Sequence, residues 1–154
     1  MSPAMPVLVE TFQQYDPQLK ETLDKIYRDE PFCPQVSVNP AEQIENNLND
    51  PHWRLLGARF NGKLIGAALL QQHEDGPLEL HNFCIRELTR RRGAGQQFIR
   101  GIVALAKKQS DQHLICKVST DNSVGLAFIR HAGFQPKSPE VAHQQTFILP
   151  LAKS

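Results

Sequence analysis

The sequence has few of the residue patterns that mark metal centres, disulfide frameworks or redox motifs. Its three cysteines are far apart and form no Cys-x-x-Cys pair. The six histidines form no His-Glu-x-x-His motif or other ligand spacing, so we predict no metal site. The cysteine pattern favours a reducing compartment such as the cytoplasm, with Cys84 and Cys116 as buried strand residues.

Long apolar runs and an excess of one charge are also missing. No run approaches the length of a membrane-spanning helix, and residues 1–6 are too short and too weakly charged for a signal peptide. We therefore expect no membrane association. The formal net charge of +1, with basic residues gathered at one turn, does not favour a nucleic-acid partner. With 154 residues, we expect residues 1–154 to form a single domain.

The most informative part of the sequence is residues 78–106, where the periodicity of the apolar residues changes. Leu78–Ile85 is a short, mostly apolar run after Asp75-Gly76-Pro77, which predicts a β-strand. Between this strand and a helix lies the basic turn Arg90-Arg91-Arg92-Gly93-Ala94-Gly95. After Gly95, apolar residues recur at helical spacing and predict one buried stripe: Phe98, Ile99, Ile102, Val103 and Ala106.

This basic turn has the chemistry of a phosphate-binding site. The start of a helix leaves backbone N–H groups unpaired and carries partial positive charge, which favours an anion. Glycines at positions 93 and 95 would let the backbone approach a diphosphate, and the arginines would add charged hydrogen bonds. The alternative is that the arginines are only a solvated run of charge. The position between a strand and an amphipathic helix favours the phosphate site.

Two common phosphate-binding motifs are absent. The chain has no Gly-x-x-x-x-Gly-Lys-Ser/Thr, which excludes a P-loop. It also has no Gly-x-Gly-x-x-Gly, because Gly95 is followed by Gln96-Gln97-Phe98, and this weakens a dinucleotide-binding interpretation.

The remaining segments predict an alternation of strands and helices. Asp16-Pro17 and Asn39-Pro40 are helix-start signals, and Asn61-Gly62 is a two-residue hairpin signal. Asn122 or Asp121 is expected to cap a helix that stops at Gly133. The predicted strands are 7–11, Trp53–Phe60, Lys63–Gln72, Leu78–Ile85, 114–118 (buried) and a closing pair at Phe134 and 146–149, and 30–39 is expected to be a loop. The order β-α-α-β-β-β-α-β-α-β-β predicts an α+β fold, an α/β/α sandwich with a mixed sheet.

Strand, Arg-x-x-Gly-x-Gly and helix in this order resemble the GNAT acyltransferase superfamily, and the resemblance spans nearly the whole chain. The segment from Asn122 to Gly133-Phe134 resembles a second signature of that superfamily. The resemblance implies acetyl-CoA or CoA as ligand and a splayed central strand pair in a mostly antiparallel sheet. For Asn122 a plain N-cap role is the open alternative. The implied ligand-contact residues are Phe83, Cys84, Ile85, Thr89, Arg90, Arg91, Arg92, Gly93, Ala94, Gly95, Gln96 and Asn122.

A narrower resemblance is to the PanZ (PanM) group within that superfamily. It rests on residues 85–95, on Arg59-Phe60-Asn61 and on the Ala132-Gly133-Phe134 ending. Members of the group are acetyl-CoA sensors that promote self-cleavage of the aspartate 1-decarboxylase precursor and restrain pantothenate synthesis. The resemblance implies the same role here, with acetyl-CoA and aspartate 1-decarboxylase as partners.

Two hypotheses about catalysis follow from the resemblance. Many members use a tyrosine, four residues before the Gly-Phe pair, as the acid for the leaving thiolate, and Ile129 stands at that position. Candidate bases are Glu79, where some members carry a catalytic glutamate, and His81 on the same strand face, although both also fit structural roles. The chain is therefore either an acetyl-CoA sensor or an acetyl-CoA-dependent N-acetyltransferase with an unidentified amine substrate.

Overall fold

The computed structural model describes residues 7–28, 40–86 and 93–152. Within them the chain forms seven strands and four helices in the predicted order. The strands are β1 (Val7–Phe12), β2 (Trp53–Phe60), β3 (Lys63–Gln72), β4 (Leu78–Ile85), β5 (His113–Ser119), β6 (Gln135–Pro136) and β7 (Gln144–Pro150). The helices are α1 (Pro17–Tyr27), α2 (Pro40–Asn47), α3 (Ala94–Gln109) and α4 (Ser123–His131). None of these helices is both long enough and apolar enough to cross a membrane.

The strands form one mixed sheet in the order β1-β2-β3-β4-β5-β7-β6. All neighbours are antiparallel except β4 and β5, which run parallel. The β2–β3 hairpin turns at Asn61 and Gly62, whose φ angles of 51° and 79° are both positive, as the Asn-Gly signal predicts. The predicted bounds of β2, β3 and β4 agree with the structure residue for residue.

The sheet separates two hydrophobic cores. One lies against α3 and α4, which contribute Phe98, Ile102 and Ile129. The other lies on the opposite face against α1 and α2, which contribute Leu23 and Ile44. The molecule is thus an α+β fold of the α/β/α sandwich type, as predicted from the order of its elements.

Two helices begin at the side chains that the sequence indicates. The Asp16 carboxylate accepts a hydrogen bond from the Leu19 backbone N–H at 2.7 Å and caps α1. Asn122 caps α4, because its Oδ1 accepts a hydrogen bond from the Gly125 N–H at 2.8 Å. Beyond the end of α4, Gly133 has a φ of 101°, as expected for a glycine stop. The predicted loop at 30–39, with its Asn39 signal, lies outside the described residues.

β5 differs from its prediction in burial. The apolar run 114–118 predicts a strand that is buried throughout, but alternate residues of β5 face different environments. Cys116 and Val118 are fully buried, whereas Lys117 between them is exposed. The reason is that α1 and α2 pack on β2, β3 and β4, and their core does not extend to β5.

Candidate functional site

The sheet opens between β4 and β5. Their parallel pairing consists of Leu78↔Leu114, Glu79↔Ile115 and Leu80↔Cys116, all near the start of β4. Beyond Leu80 the two strands are no longer paired with each other, although β4 continues to Ile85. The splayed central strand pair that the resemblance implies is therefore present.

β4 contains a β-bulge at this opening. The register between β3 and β4 shifts between Ala67 and Leu69, so that Asn82 and Phe83 together face the single residue Ala68. Asn82 has a φ of 55°, a left-handed conformation that asparagine tolerates better than most residues. The strand thus bends at the point where it leaves β5.

The bulge reverses the alternation of side chains along β4. Before it, Leu78 and Leu80 face the core on the α3/α4 side, and after it Phe83 and Ile85 face the same core. In a regular strand, residues an odd number apart lie on opposite faces. The sequence predicts a regular strand and misses the bulge, although the change of apolar phase at Asn82 is a signal that indicates it.

The bulge is held from the other side of the sheet by α1 and α2. The Tyr27 hydroxyl donates a hydrogen bond to the Asn82 carbonyl oxygen at 2.7 Å, and both residues are buried. The Asn82 side-chain amide donates a hydrogen bond to Gln43 Oε1 on α2. Burial raises the pKa of the Tyr27 hydroxyl, so this group stays protonated and remains a donor.

An aromatic cluster connects the β4 edge to α3 and α4. The Phe83 ring lies 5.1 Å from the Phe98 ring and 5.3 Å from the Phe128 ring, measured between centroids. Gly95 packs closely against this cluster: a Cβ added at that position would lie only 3.2 Å from the Phe128 ring. The absence of a side chain at Gly95 therefore has a packing reason as well as the one predicted from ligand approach.

α3 begins at the predicted phosphate-binding turn. Gly93 has a φ of 75°, and a Cβ added there would meet no atom of the described residues within 4 Å. The first turn of α3 has no side-chain cap and no acidic residue, so its N-terminal partial positive charge is not neutralised from within the helix. Ala94 is buried and Gln96 is half-buried. Thr89, Arg90, Arg91 and Arg92 lie outside the described residues, so their contacts with a phosphate stay a prediction.

The other implied ligand-contact residues lie on the two sides of the opening. Phe83, Cys84 and Ile85 form the part of β4 that follows the bulge, and all three are buried. Asn122 lies at the N-terminus of α4, where it serves as the N-cap. One of the two roles considered for Asn122 is therefore observed, and its contact with a ligand stays a prediction.

No proton donor occupies the place of the superfamily's tyrosine. Ile129 is fully buried in the core next to α3. The two tyrosines of the chain lie on the α1 side of the sheet, where the Tyr27 hydroxyl bonds to Asn82 and Tyr15 packs against the core.

A polar cluster surrounds Glu79 on the face of β4 opposite Leu78 and Leu80. Glu79 is 6% exposed, and its Oε1 lies 2.9 Å from His73 Nε2. Its Oε2 lies 3.7 Å from His81 Nε2 and 3.8 Å from Lys117 Nζ. The structure therefore brings together the two predicted bases and adds two residues that sequence reasoning missed. Finding them requires the β3–β4 turn and the β4–β5 register.

The His81 ring contacts Gln71 and Trp53. Its Nε2 lies 2.9 Å from Gln71 Oε1, and its ring lies 5.1 Å from the Trp53 ring. Since an amide oxygen only accepts, Nε2 donates in this contact, and Nδ1 is an acceptor when the ring is neutral. Burial lowers the pKa of His81 below its usual 6.5, although the Glu79 carboxylate opposes this change. A neutral imidazole is able to take a proton near pH 7.

Comparison with known proteins gives a family match over most of the chain. Residues 6–141 match the family model for the acetyltransferase (GNAT) domain, PanZ. The N-alpha-acetyltransferase RimI of Mycobacterium tuberculosis is 29% identical to this chain over 99 residues, which are 62% of this chain. The matched region spans 61% of the length of that relative.

Solved structures share the fold at low sequence identity. A GNAT-family protein of Desulfovibrio desulfuricans has a TM-score of 0.77 and 14% identity, with 94% of this chain and 100% of that chain covered. The ribosomal-protein-S18-alanine N-acetyltransferase of Escherichia coli has a TM-score of 0.69 and 16% identity, with 96% of both chains covered. A Bacillus subtilis acetyltransferase in complex with CoA has a TM-score of 0.71 and 14% identity, with 94% and 98% covered. These TM-scores show that the fold is shared. The match over residues 6–141 shows in addition that this chain belongs to the PanZ family of GNAT acetyltransferase domains.

Proposed function

We propose that this protein binds acetyl-CoA in the cytoplasm and, in that state, regulates the maturation and activity of aspartate 1-decarboxylase in pantothenate synthesis. Membership of the PanZ family supports this role. The observation that carries the proposal is the opening between β4 and β5, whose edge at Ile85 lies beside Gly95 in the first turn of α3.

The described residues fit the chemistry of acetyl-CoA. The edge of β4 after the bulge offers a backbone along which the amides of a pantetheine arm can pair, as an added strand does. No described residue fills the space beside Gly93, at a helix start that favours a diphosphate. The residues that would hold the ligand are Phe83, Cys84 and Ile85 for the acyl and pantetheine parts, 89–96 for the pyrophosphate, and Asn122 for the arm. One structural neighbour, the Bacillus subtilis acetyltransferase, is a complex with CoA.

Regulation is favoured over catalysis by the residue at the acid position. Transfer of the acetyl group requires a proton for the leaving thiolate, and Ile129 offers none. Its side chain is fully buried in the core next to α3. A protein that binds acetyl-CoA without consuming it is suited to report the concentration of that ligand.

The test combines calorimetric titration with acetyl-CoA, a free-thiol assay and a self-cleavage assay on the aspartate decarboxylase precursor. We expect saturable binding, no thiol release with a panel of amines, and cleavage that is faster only when protein and acetyl-CoA are both present. Absence of binding would contradict the ligand assignment. Binding without any effect on the precursor would contradict the regulatory role.

A second candidate function is N-acetyl transfer to an amine, and the polar cluster at Glu79 favours it. A free amine of the lysine type has a pKa of about 10.4 and must lose a proton before it can attack a thioester. His81, held by Gln71 and neutral, would take this proton at Nδ1. Glu79, which lies 3.7 Å from His81 Nε2, would stabilise the resulting imidazolium. The leaving thiolate would take its proton from solvent.

Replacement of Glu79 by glutamine separates the two functions. Glu79→Gln keeps the size of the side chain and removes its charge, so the imidazolium at His81 loses its nearest anion. Under the enzyme hypothesis, amine-dependent thiol release should fall about 100-fold or more in Glu79→Gln and His81→Gln. His131→Gln, at an exposed position of α4, is the matched control. Equal rates in all variants would leave this cluster without a catalytic role.

A further inference from the structure

We propose that Tyr27 and Gln43 are positioning residues for the ligand: they hold the β4 bulge in the conformation that the ligand-binding edge needs. This inference rests on the proposed binding of acetyl-CoA. Neither residue lies on β4, and each reaches Asn82 from a different helix of the α1/α2 layer.

The bulge needs a hydrogen-bond donor from outside the sheet. A β-bulge interrupts the ladder with its neighbour, so the extra residue cannot rely on strand pairing for all of its backbone groups. Asn82 is 2% exposed, which keeps water away from its carbonyl oxygen. β5 cannot supply the donor, because its pairing with β4 ends at Leu80. The Tyr27 hydroxyl supplies it at 2.7 Å.

Tyr27 is held rigidly enough to act as a fixed support. It is the last residue of α1 and is 6% exposed, and it belongs to the core that α1 and α2 form with the sheet. Its neighbours Leu23 and Ile26 in that core are fully buried. A phenol on such an anchored ring has little freedom to leave its acceptor. The raised pKa keeps the hydroxyl protonated, so the bond persists across the physiological range of pH.

Gln43 restrains the same residue through its side chain. The Asn82 amide group donates a hydrogen bond to Gln43 Oε1, and the next residue of α2, Ile44, is fully buried in the core. The backbone of Asn82 is thus tied to α1 and its side chain to α2. Two independent bonds fix the φ of 55°, which is an uncommon value for a residue other than glycine.

Loss of this support would disturb the edge that the ligand uses. Phe83 and Ile85 face the α3/α4 core only because the bulge shifts the alternation by one residue. A bulge that relaxes toward a regular strand would move both side chains and the backbone groups between them. Binding would then have to restore the bulge, and the free energy of that step would be subtracted from the affinity.

The test is Tyr27→Phe, which keeps the ring and removes only the hydroxyl. We expect the Kd for acetyl-CoA, measured by calorimetry, to rise about tenfold, which corresponds to the loss of one hydrogen bond to a buried group. In the protein without ligand, amide hydrogen exchange should become faster at 82–85. Tyr15→Phe is the matched control, because the buried Tyr15 hydroxyl makes no hydrogen bond in the described parts of the chain. It should leave the Kd and the exchange at 82–85 unchanged.

Each outcome has a distinct meaning. If Tyr27→Phe folds, exchanges at 82–85 like the parent and binds acetyl-CoA as tightly, the positioning role is wrong. A parent protein that fails to bind acetyl-CoA overturns the proposed function, while the exchange experiment still decides whether Tyr27 holds the bulge. If Tyr27→Phe does not fold, Gln43→Met takes its place, since it removes the acceptor and keeps the shape of the side chain. A Gln43→Met variant with unchanged Kd and unchanged exchange would then overturn the inference.

Discussion

At the scale of single residues, the sharpest comparison is between Gly93 and Gly62. Their φ angles are 75° and 79°, and a Cβ added at either would meet no atom within 4 Å in the part of the chain that the structure describes. Gly93 lies at the start of α3 beside the proposed ligand, whereas Gly62 lies in the β2–β3 hairpin. A larger residue at either position therefore strains the backbone to a similar degree. Only at position 93 would its side chain lie beside the proposed ligand.

We expect Gly93→Leu to weaken acetyl-CoA binding at least tenfold, because the new side chain would fill the space through which a diphosphate approaches. Gly62→Leu should leave binding unchanged. Each variant should lose about 1–2 kcal/mol of unfolding free energy from the left-handed backbone conformation. Calorimetric titration and urea denaturation measure the two effects separately. Equal affinities for the two variants would remove the turn at Gly93 from the ligand site.

At the scale of elements, β4 shows which features of a strand can be predicted from neighbouring residues and which cannot. Its bounds follow from the apolar run between the turn at 75–77 and the basic segment, and the structure confirms them. Its bulge depends on Tyr27, which lies 55 residues earlier in the sequence, and on Gln43, which lies 39 residues earlier. The change of apolar phase at Asn82 indicates a bulge, but no local pattern shows which residues support it. The helix starts at Asp16 and Asn122 were predictable because the capping bonds reach only three residues along the chain.

The element α4 allows the two roles of Asn122 to be separated. Serine caps a helix about as well as asparagine, but it lacks the carboxamide that would reach a pantetheine arm. Asn122→Ser should therefore keep its stability within about 0.5 kcal/mol, whereas Asn122→Ala should lose about 1 kcal/mol. If Asn122 also contacts the ligand, as the resemblance implies, Asn122→Ser should bind acetyl-CoA more weakly. Unchanged affinity in this variant would leave Asn122 as a plain N-cap.

At the scale of the whole molecule, His81 links stability to pH. Burial lowers the pKa of His81 in the folded protein, while in the unfolded chain the group has its usual value near 6.5. Below about pH 6.5 the unfolded chain therefore binds more protons than the folded one, and the free energy of unfolding falls as the pH falls. The loss continues down to the pKa of the folded state, with a slope of at most about 1.4 kcal/mol per pH unit.

Urea denaturation between pH 7.5 and 5 measures this slope, and His81→Gln isolates the contribution of the group. We expect the variant to show a flatter dependence of stability on pH than the parent protein. Parallel curves for the two proteins would mean that His81 titrates equally in both states, which the burial of its ring argues against.

The α/β/α architecture followed from the sequence more fully than the candidate site did. Hydrophobic periodicity and turn signals are local, and they yield the element order and hence the sandwich. The Glu79 cluster is different, because Lys117 reaches Glu79 only through the β4–β5 register and His73 only through the turn that follows β3. The sequence also failed to predict the exposed face of β5. That face is exposed because the layer formed by α1 and α2 does not extend over it.

The short β4–β5 pairing divides the sheet into two panels joined along a narrow seam. One panel is the antiparallel set β1-β2-β3-β4 and the other is β5-β7-β6. The seam is three residue pairs long. Beyond it the facing edges of β4 and β5 are not paired with each other, which leaves a V-shaped gap between the two panels. A molecule that binds in this gap would contact both panels at once, so its shape would influence the angle between them.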